Sequence, residues 1–157
     1  IIFQLNYQLI VVLTLISALM VTLVTDLKYY YISDRVIVVS SSLVALTYLK
    51  FLGVNSFLTH ILSGTLMFIL MYLLKIITTK IFKKESLGDG DIKLMILIGL
   101  TLGVFNSFIS LFISSVTALI YTILFIKKKD ALIPFGPFLL IGAIVTYILV
   151  FYQITII

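Results

Sequence analysis

Two acids of this chain sit where an apolar run meets a polar stretch. Asp26 directly follows the run 9–25, and Asp91 closes the tetrapeptide Gly88-Asp89-Gly90-Asp91 and directly precedes the run 92–104. A charge at or near a bilayer is costly, which makes such an acid a candidate functional group. The two glycines give the backbone freedom and let another chain come close. If Asp26 and Asp91 meet, one proton shared between them is the expected state. Such a pair titrates as a unit. Its ionised member can act as general base on a water while the protonated one polarises a carbonyl. Asp91 would stand at a helix N-terminus, whose dipole favours the ionised form; Asp26 would stand at a C-terminus, which disfavours it.

Other residues have simpler readings. Asp91 alone could be an N-cap, and Asp26 alone an interfacial acid paired with Lys28 or Arg35. Asp34, followed by Arg35 and an apolar run, reads as the N-cap of the second helix. Glu85, Asp89 and Asp130 lie in lysine-rich loops as solvated counter-charges. Tyr29-Tyr30-Tyr31 reads as an interfacial aromatic belt, with a groove lining as the alternative. His60, near the outer end of the third run, reads as structural. Gly64, Gly99, Gly103 and Gly142 are expected to permit close helix packing. Pro134-Phe135-Gly136-Pro137 holds both prolines of the chain. It reads as a rigid turn, or as a stiff wall beside the acids.

The elements that must carry these groups are apolar. Of 157 residues, 62% are hydrophobic and 11% charged, with a mean hydropathy of +1.32; a soluble domain runs nearer half apolar and a quarter charged. An all-α integral membrane protein is expected. The net charge of +5 is split among short loops with no basic face, so it gives no case for nucleic acid and fits a lipid surface. Cys is absent, which removes disulfides, thiolate metal sites and cysteine nucleophiles. No metal or other cofactor is implied. The chain opens on Ile rather than Met, so a signal peptide cannot be judged.

Six apolar segments are expected to span the bilayer as one transmembrane core over 1–157: about 9–25, 36–52, 57–77, 92–104, 108–126 and 138–151. The fourth is short against the roughly 20 residues a span needs. Charge supports counting it. Lys28 and Arg35 lie in the first connection. Lys75, Lys80, Lys83, Lys84 and Lys93 cluster around the third, and Lys127, Lys128 and Lys129 lie in the fifth. With six spans, ten of the eleven basic residues fall on one side, which the positive-inside rule makes cytoplasmic. Both termini are then on the outer face. All six acids, Asp26 and Asp91 among them, share the cytoplasmic side.

These residues resemble a known family. Gly88-Asp89-Gly90-Asp91 fits the GxGD motif of intramembrane aspartyl proteases. Ile92-Lys93-Leu94 and Ile133-Pro134-Phe135-Gly136-Pro137-Phe138 resemble the type IV prepilin peptidases in particular. In that family a first catalytic Asp follows an early helix, a setting occupied here by Asp26 to Asp34, with Ser33 where Pro is common. The resemblance covers essentially the whole chain. PAL, a motif of presenilin-like proteins, is missing.

What the resemblance implies is a GxGD-type aspartic endopeptidase that uses Asp26 and Asp91 as catalytic residues and no cofactor. Gly88, Gly90, Lys93, Asp34, Pro134, Phe135 and Gly136 would bind substrate or support the site. Its substrate would be a prepilin-like or pseudopilin protein with a short basic leader ending in Gly and a following hydrophobic helix. That substrate would be cut at the cytoplasmic edge of a prokaryotic plasma membrane. Many members carry a cysteine-containing insert linked to N-methylation. Nothing here resembles it, so methyl transfer gains no support. The alternative reading is a small transporter or channel subunit with the paired acids as a proton or cation relay; acids confined to one face argue against it.

Overall fold

Two glycines decide how this chain folds back on itself. The computed structural model describes residues 2–83, 87–125 and 134–156. Among them are four helices: α1 (Ile2–Tyr29), α2 (Asp34–Phe82), α3 (Asp89–Phe125) and α4 (Gly136–Ile156). Helix α2 is interrupted at Gly53 (φ 83°, ψ 177°) and α3 at Gly103 (φ 76°, ψ 172°). Those angles suit glycine, which has no Cβ to clash at positive φ.

Each interruption is a reversal. The rings of Tyr48 and His60 lie 4.4 Å apart between centroids, whereas twelve residues of straight helix would rise about 18 Å. Ser107 Oγ donates to the Ile98 carbonyl at 3.4 Å, across nine residues that would rise about 13 Å in a straight helix. Both α2 and α3 are therefore helical hairpins, with arms 34–52, 54–82, 89–102 and 104–125. Gly103, expected to serve helix packing, serves this bend instead: a Cβ there would meet nothing within 4 Å.

The reversals gather at one end of the bundle. There His60 Nδ1 lies 2.8 Å from the Leu100 carbonyl, and Tyr48 donates its hydroxyl to the Thr101 carbonyl at 2.8 Å. His60 is structural, as expected, and far from the acids. The connections between helices gather at the other end, where Gly136 meets Asp26 and Lys93 meets Asp34.

The segments 9–25, 36–52, 57–77 and 138–151 each lie inside one helix or arm. The fourth, 92–104, overruns the Gly103 bend, and the fifth, 108–126, ends outside the described residues. Helices run past their apolar cores because capping and packing, as well as hydropathy, decide where they stop. Tyr7–Tyr29, Asp34–Ile81 and Asp89–Phe125 are long and apolar enough to cross a membrane, and Gly136–Val150 is a shorter apolar helix.

The arm 89–102 is the centre of the molecule. Leu94, Met95, Leu97 and Ile98 are fully buried, so this helix is enclosed by protein rather than lipid. That accounts for its brevity: it rises only about 20 Å. Small residues set the packing distance around it. A Cβ on Gly99 would lie 2.8 Å from the Ser63 carbonyl oxygen and 2.9 Å from the Gly64 Cα, so two backbones touch here, as between membrane helices packed on small residues. Gly99→Val is expected to force these arms apart and lower stability by about 1–3 kcal/mol, read as an earlier thermal unfolding of the detergent-purified protein. An unchanged unfolding temperature would show that the contact is not close-packed.

Candidate active site

Asp26 lies one turn before the end of α1. Its backbone carbonyl accepts from the Tyr30 N–H at 2.9 Å, and Tyr30 (φ 50°) turns the chain out of the helix, a left-handed conformation uncommon in non-glycine residues. The Asp26 side chain points inward, where the residue is only 6% exposed. Its Oδ2 accepts the Gly136 N–H at 3.1 Å. Gly136 opens α4, whose first N–H groups lack partners within their own helix. Asp26 thus caps the last helix from the end of the first, facing the positive end of its dipole.

Asp91 stands in the first turn of α3. Its carboxyl accepts a hydrogen bond from the Gly88 backbone, while the Ile92 N–H donates to the Gly88 carbonyl at 3.3 Å. This is the geometry of a capping box, in which the third helical residue reaches back to the cap. Asp91 does cap its helix, and it also shares a cavity of about 340 Å³ with Asp26. Tyr30, Tyr31 and Gly88–Gly90 line that cavity with them, which gives Tyr30 and Tyr31 the groove-lining place offered as the alternative, while Tyr29 stays exposed outside it. The two carboxyls lie near enough for Asp91 to feel the charge of Asp26. In a partly dry cavity, one proton between two such groups is the least costly arrangement.

Ile32 holds the three parts of the site together, and sequence reasoning missed it. It is 6% exposed. A Cβ on Gly90 would lie 2.8 Å from the Ile32 Cβ, and one on Gly136 would lie 2.6 Å from its Cδ1. Gly90 was expected to leave room beside Asp91 for a substrate backbone; Ile32 packs in that space, while Gly88 stays open toward the cavity. The one available signal was an apolar residue standing between a tyrosine run and Ser33.

The remaining candidates are placed as follows. Asp34 is not the N-cap of α2: Ser33 holds that position, without a side-chain capping bond. Asp34 pairs instead with Lys93, whose Nζ lies 2.8 and 2.9 Å from its two carboxyl oxygens. Both line the cavity rim. Asp89 pairs with Lys75 at 2.6 Å and is 76% exposed, in keeping with a counter-charge. Both ion pairs are open to solvent, so neither contributes much to stability. Pro134 is buried and Phe135 half-buried, and neither lines the cavity; within the four-residue turn it is Gly136 that donates a hydrogen bond to Asp26. Lys84, Glu85, Lys127, Lys128, Lys129, Asp130 and Ile133 lie outside the described residues. Among the described residues, no group of three His, Cys, Asp or Glu side chains is placed to hold a metal ion.

The helices and their acidic cavity define an all-helical membrane protein with a carboxyl pair at one end of the bundle. The chain belongs to the type IV leader peptidase family, whose model matches residues 13–123. It is therefore a protease of the prepilin leader peptidase kind, and prepilin-like proteins are the substrates its family implies. The matched region contains both Asp26 and Asp91 and stops short of Gly136. No curated protein and no solved structure matches the chain.

Proposed function

We propose that this chain is a GxGD-type aspartic endopeptidase that removes the leader of prepilin-like or pseudopilin substrates, with Asp26 and Asp91 as its catalytic pair. The observation that carries this is the shared cavity: two carboxyls from helices far apart in sequence, one held by Gly136 and the other by Gly88. The ionised member takes a proton from a water, and the water attacks the scissile carbonyl. The protonated member donates to the carbonyl oxygen as the tetrahedral intermediate forms. Collapse breaks the C–N bond, the leaving amine gains a proton, and the pair regains its single shared proton. No covalent acyl-enzyme forms.

Six helical stretches cross the plasma membrane of a prokaryote in this reading, with both termini outside and the site at the cytoplasmic edge. The substrate carries a short basic leader ahead of an apolar helix. A basic face is an awkward host for a basic leader, but Lys75 and Lys93 are each engaged by an acid, and anionic lipids attract both partners. The relay alternative draws less support: the described acids, Asp26, Asp34, Asp89 and Asp91, all line the cavity at one end of the bundle.

Cleavage of a prepilin-like substrate in membranes tests the pair. Each of Asp26→Asn and Asp91→Asn should remove it, and cleavage retained by either overturns the reading. For orientation, Lys83→Cys in this cysteine-free chain should resist an impermeant thiol reagent on intact cells and react once the membrane is opened. Labelling from outside would reverse the topology.

A further inference from the structure

The acidic cavity has a larger neighbour among the described residues. That neighbour is an apolar trough of about 490 Å³ between α1 and the first arm of α2, within the roughly 300–1,000 Å³ typical of ligand sites. We propose that this trough receives the apolar helix of the substrate and so presents the scissile bond to Asp26 and Asp91. This rests on the peptidase reading above and adds to it where the membrane-embedded part of the substrate is held.

Three observations fit a helix as the occupant. The walls are two helix faces: Ile10, Leu13, Ser17 and Val21 recur at helical spacing on α1, and Val39 and Leu43 do so on α2. The trough is therefore straight and runs along the bundle for about 16 Å, some three turns. Its floor is built from small residues, with Ala18 at 1% exposure, Ser40 at 6% and Thr14 at 8%. The Thr14 and Ser17 hydroxyls are spent on the carbonyls of Ile10 and Leu13, which leaves an apolar, shallow floor where a third backbone can approach closely. Large rims stand on either side: Leu13, Val39 and Leu43 are each about half exposed.

The third observation is nearness to the acidic cavity along the same two stretches of chain. Arg35 lines the trough and its neighbour Asp34 lines the cavity of the carboxyl pair. Helix α1 supplies one wall of the trough and then, a little over one turn beyond Val21, Asp26. Arg35 is a residue of the membrane–water interface, so the trough leaves the apolar layer at the level where the carboxyls lie. A helix seated there ends at the level of the pair, within reach of its N-terminal extension, the leader. An acyl chain could fill the same volume, but it would have no end to present to the acids.

The test compares two substrates. One is a prepilin-like protein with its apolar helix, and the other is a short peptide covering the leader and scissile bond but ending before that helix. Ser17→Phe fills the trough from an exposed position without touching the cavity. It should lower kcat/KM for the full substrate at least tenfold, mostly through KM, and leave cleavage of the short peptide unchanged. A photo-crosslinker at Val39 should capture the helix of the full substrate in membranes, a measurement independent of how Ser17→Phe folds. Equal effects of Ser17→Phe on both substrates, no effect on either, or crosslinks to lipid alone would each overturn the proposal. Failure of the peptidase reading is distinguishable, since it would show as cleavage that survives Asp26→Asn or Asp91→Asn.

Discussion

Asp26→Asn is expected to reduce leader cleavage by about 10²–10⁴-fold, the usual contribution of one positioned acid or base, and Asp91→Asn by a similar factor. The loss should fall on kcat and spare KM, because the missing function concerns the water and the scissile carbonyl rather than the apolar contacts that hold the substrate. Both variants should remain folded. An Asn oxygen at position 26 can still accept the Gly136 N–H, and one at position 91 can still accept from Gly88. The double variant should be scarcely worse than either single one, since groups that act as a unit are strongly non-additive. For the wild type, a pair holding one proton predicts a bell-shaped pH–rate profile, whose two limbs belong to the pair rather than to either residue. Multiplicative losses in the double variant would point to independent acids. Kinetics on reconstituted enzyme, with thermal unfolding as the fold control, settle the matter.

Gly136→Ala should be the most damaging change outside the pair. A methyl group there would lie 2.6 Å from the Ile32 Cδ1 and 3.0 Å from both the Asp26 Oδ2 and the Thr22 Cγ2. The Ile32 tip can swing aside. The carboxyl can move only by lengthening its bond to the Gly136 N–H, and the Thr22 methyl is held on a buried helix face. Relief therefore comes through displacement of Asp26. Misplacing a reacting group by about 1 Å can cost on the order of 10²-fold, and overpacking of this kind costs about 1–3 kcal/mol in stability. Cleavage should fall at least tenfold while the protein remains monodisperse in detergent. Activity within twofold of wild type would mean that the close contact of α4 with Asp26 has no part in the reaction.

Much of this arrangement was legible in the sequence, for identifiable reasons. Long apolar runs and lysine-rich gaps mark helices and connections through hydropathy and charge alone, and the acids at 26 and 91 stand out because charge is rare at such boundaries. Conformation was harder to read than composition. Gly53 was not singled out, because nothing in Phe-Leu-Gly-Val-Asn-Ser distinguishes a positive-φ reversal from an ordinary loop. Gly103 was assigned to packing for the same reason, although Gly64 and Gly99 do pack as expected. The cap of α2 was displaced by one residue, since Ser33 and Asp34 are both good cap residues and only the Lys93 contact separates them. Ile32 was hidden by its neighbours: three tyrosines suggest an interface, and the residue that fills the space over Gly90 and Gly136 follows them unremarked. The bond from Gly136 to Asp26 spans 110 positions, and no local pattern reports it.

That span also orders events during synthesis. Asp26 is translated early, and Gly136 joins the chain only after α1, α2 and α3 have been made. Non-local contacts of this kind are closed late, because the intervening chain must be organised first. The acid therefore waits without its partner while the bundle assembles around it. Until α4 docks, one carboxyl of the proposed pair lacks the backbone N–H that holds it.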